Sequence, residues 1–166
     1  MGFKIELIKN AQQYDDSIIL EVIDKMKNKK GYEEEKCFKA NNQELSRVQE
    51  FIQNILLRFG CNDKTIMQIN LVVEEVFVNI ANYAYQNDDG TCKVIVNYDG
   101  AKQVMITFED NGIPFNPLEK EDPDITLSAD KREVGGLGIF ITKQIMDQVE
   151  YTYENQKNVL KITKIL

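Results

Sequence analysis

The sequence predicts an α+β fold: a two-layer sandwich whose mixed, mostly antiparallel sheet carries its helices on one face. Three observations predict it. Two stretches with helical periodicity lie one after the other at 42–60 and 63–80. A hairpin pattern follows at 92–109, and a third helical stretch with two more strands completes the chain. Strands and helices grouped in runs, rather than strictly alternating, favour antiparallel pairing with the helices to one side.

Taken in order, residues 1–30 read as a strand (3–8), a turn, a second strand (17–23) and a basic tail of Lys25, Lys27, Lys29 and Lys30. Gly31 and the acidic run Glu33-Glu34-Glu35 read as a linker. The chain then divides into an N-terminal extension over 1–34 and a main domain over 35–166. Residues 36–40 read as a strand. Asn41-Asn42 offers an N-cap to a helix whose Leu45, Val48, Phe51, Ile52, Ile55, Leu56 and Phe59 recur at helical spacing, with Gly60 placed to end it. Asp63 can cap the next helix, whose inner face is Ile66, Ile69, Val73, Val76 and Ile80. Asn87-Asp88-Asp89-Gly90 is a turn signal, and strands 92–98 and 103–109 close around Asp99-Gly100 as a hairpin. Residues 110–117 form a loop punctuated by glycine and proline. The charged, aperiodic stretch 118–134 reads as a mobile loop or lid. A helix over 137–147 and strands at 149–154 and 159–165 finish the fold.

Bulk properties narrow the function. The 166 residues suit one domain, and a hydrophobic fraction of 43% supplies a core. The net charge of −7 argues against nucleic acid as the main partner. It leaves ATP open, because magnesium and glycine amides can cradle phosphate in an acidic protein. Cys37, Cys61 and Cys92 are too far apart for a disulfide framework or a zinc motif, which points to a reducing cytoplasm. No apolar run resembles a secretory signal or approaches the roughly 18 residues of a membrane span. The chain contains no histidine. That excludes, within it, a Ser-His-Asp triad, a Cys-His pair, a histidine metal site and a phosphoacceptor histidine.

Three motifs carry the chemistry. Gly135, Gly136 and Gly138 precede an apolar helical run that starts with Leu137 and Ile139. Glycines let backbone approach a ligand closely, and a helix N-terminus presents free N–H groups to phosphate. Glu75 and Asn79 stack one helical turn apart, and Asn82 extends the stripe. An amide oxygen at Asn79 together with triphosphate oxygens suits Mg2+. A carboxylate one turn away, at Glu75, can orient or deprotonate an attacking hydroxyl or water. Asp110 ends an apolar strand next to Gly112, where it can accept a hydrogen bond from an adenine amino group. Each motif alone has a plainer reading: a solvated helix edge, an Asp-Asn-Gly turn, a hinge before a helix. Phe115 and Pro114 read as packing for the loop, and Lys131 and Arg132 as lid charges within reach of phosphates. It is the order and spacing of all three that suit one nucleotide site.

In combination, Glu75-x3-Asn79, Asp110-x-Gly112 and Gly136-x-Gly138 resemble the N, G1 and G2 boxes of the GHKL ATP-binding superfamily, the Bergerat fold. Within it the chain is most similar to the bacterial anti-sigma factor serine/threonine kinases. Residues 73–79 and 83–85 resemble that family's N-box helix, 112–117 its loop after G1, and 135–151 its G2 helix and the next strand. The resemblance spans about residues 35–166. It implies ATP and Mg2+ as cofactors, Glu75 as general base and Asn79 as magnesium ligand. Asp110 would read the adenine, which Gly112 lets approach. Asn82, Phe115, Gly135, Gly136, Leu137, Gly138 and Ile139 would complete the ATP site, under a lid at 118–134. It implies as partners a sigma factor and a small antagonist protein phosphorylated on serine, and it is compatible with a homodimer. No nucleic acid or membrane partner is implied. Tyr83 stands where many relatives carry histidine. The first 30 residues lie outside the resemblance. Within them, 13–20 resemble the last metal-binding strand of PPM-type phosphatases, so that the extension would be the remnant of an upstream phosphatase domain; an acidic turn before an edge strand reads the same residues equally well.

Overall fold

A computed structural model describes residues 31–85, 89–119 and 137–166. The expectations for 1–30, for Asn87 and Asp88, for the lid beyond Glu119 and for Gly135 and Gly136 fall outside these residues. The elements are β1 (Tyr32–Lys39), α1 (Leu45–Arg58), α2 (Asp63–Asn79), β2 (Thr91–Tyr98), β3 (Gln103–Asp110), α3 (Leu137–Ile145), β4 (Gln148–Glu154) and β5 (Lys157–Ile165). The strands form one sheet in the order β1-β2-β3-β5-β4. All four pairings are antiparallel, so the sheet expected to be mixed has no parallel pair among the described residues.

Strand alternation explains the layering. Cys92, Val94, Val96 and Tyr98 of β2 are buried, as are Val104, Ile106 and Phe108 of β3 and Leu160 and Ile162 of β5. These residues face α1 and α2, which contribute Val48, Ile52, Ile55, Leu56, Ile69, Val72, Val73 and Phe77 to the same cluster. Fully buried side chains such as Phe77 and Ile52 each stabilise the fold by roughly 1.5–3 kcal/mol. At one end Phe59 stacks on Tyr98 with ring centroids 4.2 Å apart.

The helix ends follow local chemistry. Gly60 adopts φ 72, its N–H bonds Leu57 O at 3.0 Å and the Cys61 N–H bonds Leu56 O at 3.1 Å. That pairing is a Schellman C-cap, as glycine at this position implies. The second helix is capped by Asn62, whose side chain accepts the Thr65 N–H at 2.9 Å, and not by Asp63 as expected. Asp63 instead opens the first turn, where its charge complements the helix dipole.

Two further boundaries differ from expectation. The acidic run is not a linker: β1 begins at Tyr32, and Glu33, Glu34 and Glu35 lie inside it. Glu35 pairs with Lys93 at 2.9 Å on one face, and Glu34 with Arg58 at 3.2 Å on the other. Charges on an edge strand also discourage pairing with another chain. Helix α3 stops at Ile145, two residues early, because the Asp147 N–H bonds Thr163 O at 2.9 Å and its carboxylate accepts the Ile165 N–H at 2.8 Å. Strands β4 and β5 are joined by Asn155 and Gln156 with φ of 52 and 61, a two-residue turn with the primed twist that suits a hairpin.

Candidate functional site

Helix α2 does not end cleanly. After Asn79 it widens into a π-helical turn over Ile80–Ala84. This turn borders a cavity of about 660 Å³. Glu75, Val76, Asn79 and Ile80 line one wall from α2, and Tyr83 and Ala84 extend it. Leu137, Gly138, Ile139 and Ile141 contribute from α3, and Ile113, Phe115 and Pro117 from the loop after β3. Asp110, Tyr151, Asn158 and Leu160 close it from the sheet.

Helical spacing puts Glu75 and Asn79 on the same wall, one turn apart. Asn82, expected to extend that stripe, is not among the lining residues. Its Oδ1 accepts the Asn42 Nδ2 N–H at 2.9 Å. The reason is the π turn, whose extra residue breaks the α-helical register after Asn79. Glu75 packs directly on α3: a Cβ added at Gly138 would overlap the Glu75 carboxylate. Gly138 therefore leaves room for this side chain.

Asp110 ends β3, 4% exposed. Its Oδ1 accepts the Gly112 N–H at 2.9 Å and the Asn158 Nδ2 N–H at 2.9 Å. Its Oδ2 takes no bond from any described residue. Burial pushes the carboxyl above its ordinary value of 3.8, and the bonds from Asn158 and Gly112 pull the other way. The buried Cys92 sits directly across β2 from it, its thiol held well above the ordinary range by burial.

The loop after Asp110 is tied on both sides. The Ile113 N–H bonds Ala84 O at 2.9 Å, and the Asn111 N–H bonds the Tyr85 hydroxyl at 2.9 Å. Gly112 is not among the lining residues. A Cβ there would overlap the Ala84 carbonyl and fall 2.6 Å from Ala84 Cβ, so glycine is required for the loop to dock on the π turn. The close approach that glycine permits is thus made here by the chain's own backbone.

Of the residues singled out from sequence, the cavity brings together Glu75, Asn79, Asp110, Phe115, Leu137, Gly138 and Ile139. Sequence reasoning missed Asn158 and Tyr151. The usable signal was a polar residue in the inward phase of a strand, since Asn158 precedes the buried Leu160 and Ile162 at a spacing of two. Ile113 and Phe115 are half exposed at 48% and 51%, an apolar rim around the opening.

The donor set suits a nucleotide with its magnesium. Asp110 offers a carboxylate oxygen that takes no bond from any described residue, beside the apolar lining residues Ile113 and Leu160. Among the described residues no three acidic or thiol groups gather to cage a metal. One amide and one carboxylate, Asn79 and Glu75, fit an ion that takes its remaining ligands from phosphate and water. Among the described residues no helix is long and apolar enough to cross a membrane.

Comparison with known proteins identifies relatives of this chain and its family. Over 126 residues the chain is 25% identical to the anti-sigma F factor of Clostridium perfringens, covering 76% of this chain and 89% of that protein. Over 108 residues it is 26% identical to the serine-protein kinase RsbW of Bacillus thuringiensis and of Bacillus anthracis, covering 62% of this chain and 66% of theirs. Residues 38–164 match the family described as the histidine kinase-like ATPase domain, and with nearly the whole described fold inside that match, the chain belongs to this family.

Proposed function

We propose that this protein is an ATP- and Mg2+-dependent serine/threonine protein kinase that acts as an anti-sigma regulatory factor, phosphorylating a serine of a small antagonist protein. The observation that carries the reading is the convergence of Glu75, Asn79, Asp110 and Gly138 on one cavity in a chain of the ATPase family. Similarity to proteins named anti-sigma F factor and serine-protein kinase supports the partner class. The lack of histidine leaves no phosphoacceptor of that type in the chain.

The residues divide the work. Asp110 accepts the adenine amino group, and Ile113, Phe115 and Leu160 supply apolar contact for the ring. The first turn of α3, from Leu137, would direct backbone N–H groups to phosphate, a role that Gly135 and Gly136 would share. Asn79 would hold Mg2+ through its amide oxygen, and the ion would neutralise phosphate charge. Glu75 accepts the proton of the incoming serine hydroxyl. The kinase domain would begin with β1 at Tyr32, close to the 34/35 division, and residues before it form the extension. The site of action is the cytoplasm, with a sigma factor and an antagonist as partners and a homodimer as the working unit.

The test is transfer of label from γ-labelled ATP with magnesium to candidate antagonist proteins encoded beside the gene. Wild type should label a serine, and Glu75→Gln should bind ATP with similar affinity yet lose transfer. Equal transfer by both removes Glu75 as base. Binding without transfer by wild type supports instead a nucleotide-gated binding module on the same fold.

A further inference from the structure

We propose that Asn158 is a positioning residue for base recognition, holding Asp110 and the 112–115 loop in the arrangement that reads a 6-amino purine without itself touching the nucleotide. The inference rests on reading the cavity as an ATP site. Asn158 opens the inward face of β5 directly across from Asp110 and is 6% exposed.

Its amide is fully used. Nδ2 donates to Asp110 Oδ1 at 2.9 Å and to Ile113 O at 3.1 Å, with Gly112 O at 3.4 Å. Oδ1 accepts the Tyr151 hydroxyl at 2.6 Å and the Phe115 N–H at 3.1 Å. An asparagine amide has two N–H donors and one oxygen with two lone pairs, so nothing remains to bind a ligand. The Phe115 N–H can only donate, which fixes the oxygen on that side and the NH2 on the side of Asp110.

The consequence falls on Asp110. Two N–H groups, from Asn158 and Gly112, hold its Oδ1, so the carboxylate plane cannot turn without breaking a bond. Oδ2 is left as the acceptor. A 6-amino group donates to it, whereas a purine without that group covers the carboxylate oxygen and leaves it unpaired, which is how a polar site rejects an analogue. The same amide pins the backbone at Ile113 and Phe115, two lining residues. Asn158 thus links the acceptor to the apolar wall beside it.

The experiment measures binding of ATP and of purine riboside 5′-triphosphate, which lacks the 6-amino group, to the full chain. Wild type should prefer ATP by about tenfold or more, the size of one hydrogen bond to a charged group. Asn158→Asp keeps the shape and the acceptor for Phe115 and Tyr151 but sets an oxygen against Asp110 Oδ1. It should raise the ATP Kd at least about tenfold, leave the analogue within about threefold, and so bring the preference near one. Tyr151→Phe, which removes one bond from the amide, should lower the preference part way and gives a second readout if Asn158→Asp does not fold. A folded Asn158→Asp that keeps the preference, or that weakens both nucleotides equally, overturns the proposal. So does an unchanged preference in Tyr151→Phe when Asn158→Asp does not fold. A wild type that binds neither nucleotide is a different failure, that of the site reading itself.

Discussion

At the scale of single residues, the glycines and carboxylates do different work from what their motifs suggest in isolation. Gly138 matters because Glu75 lies against it: the three atoms nearest an added Cβ all belong to the Glu75 side chain, so its carboxylate would be displaced. Gly138→Ala should therefore cut phosphoryl transfer about 100-fold or more, the scale of an ångström-sized misplacement, while the thermal midpoint stays close to wild type. Transfer at the wild-type rate would remove that constraint. Asp110 carries a pH signature. Its carboxyl is raised above 3.8, mainly by burial, so the folded protein holds that proton more tightly than the unfolded chain does. Its contribution to stability therefore falls as pH rises from the ordinary value through the raised one. Adenine needs the ionised form, so ATP affinity should fall with acidification, beginning at a pH above that expected for an ordinary Asp, and Asp110→Asn should flatten that dependence. Binding isotherms across pH check it. Glu75, Asn79 and Asp110 were legible in the sequence because each sits in a short local motif, Glu75-x3-Asn79 or Asp110-x-Gly112. Asn158 was not, because its meaning depends on β5 pairing with β3, a contact 48 residues apart in the chain.

At the scale of elements, helices were legible almost to the residue because their apolar period and their Asn and Gly caps are written within a few positions. The π turn was not, since nothing in Ile80–Ala84 departs from an ordinary helical pattern; its register shift is what moved Asn82 off the wall. Strand β1 was misread over Glu33–Glu35 because acidic residues disfavour strands in general, and only the pairing to β2 and Arg58 makes them tolerable here. The β4–β5 turn was likewise unmarked. Asn155-Gln156 adopts positive φ at both positions, and glutamine gains nothing there. Gln156→Gly should stabilise the protein by about 0.5–1 kcal/mol in urea unfolding, the gain from relieving left-handed strain less the entropy lost by glycine. A loss of stability would mean that the side chain makes a compensating contact.

At the scale of the whole molecule, one face of the sheet holds the described helices and the cavity, and the acidic balance of −7 would leave phosphate binding to local groups. The fold class was legible because strands and helices come in runs. That all pairings among the described strands are antiparallel was not, because their order β1-β2-β3-β5-β4 is set by which strands meet over the core. The central claim is that this cavity binds ATP through Asp110, and the most direct measurement is calorimetric titration of ATP with magnesium into the full chain and into Asp110→Ala. The expected result is a single site on the wild type and affinity lowered at least about tenfold in the variant, with both proteins melting cooperatively. Equal affinity in the two, or no binding to the folded wild type, would contradict it.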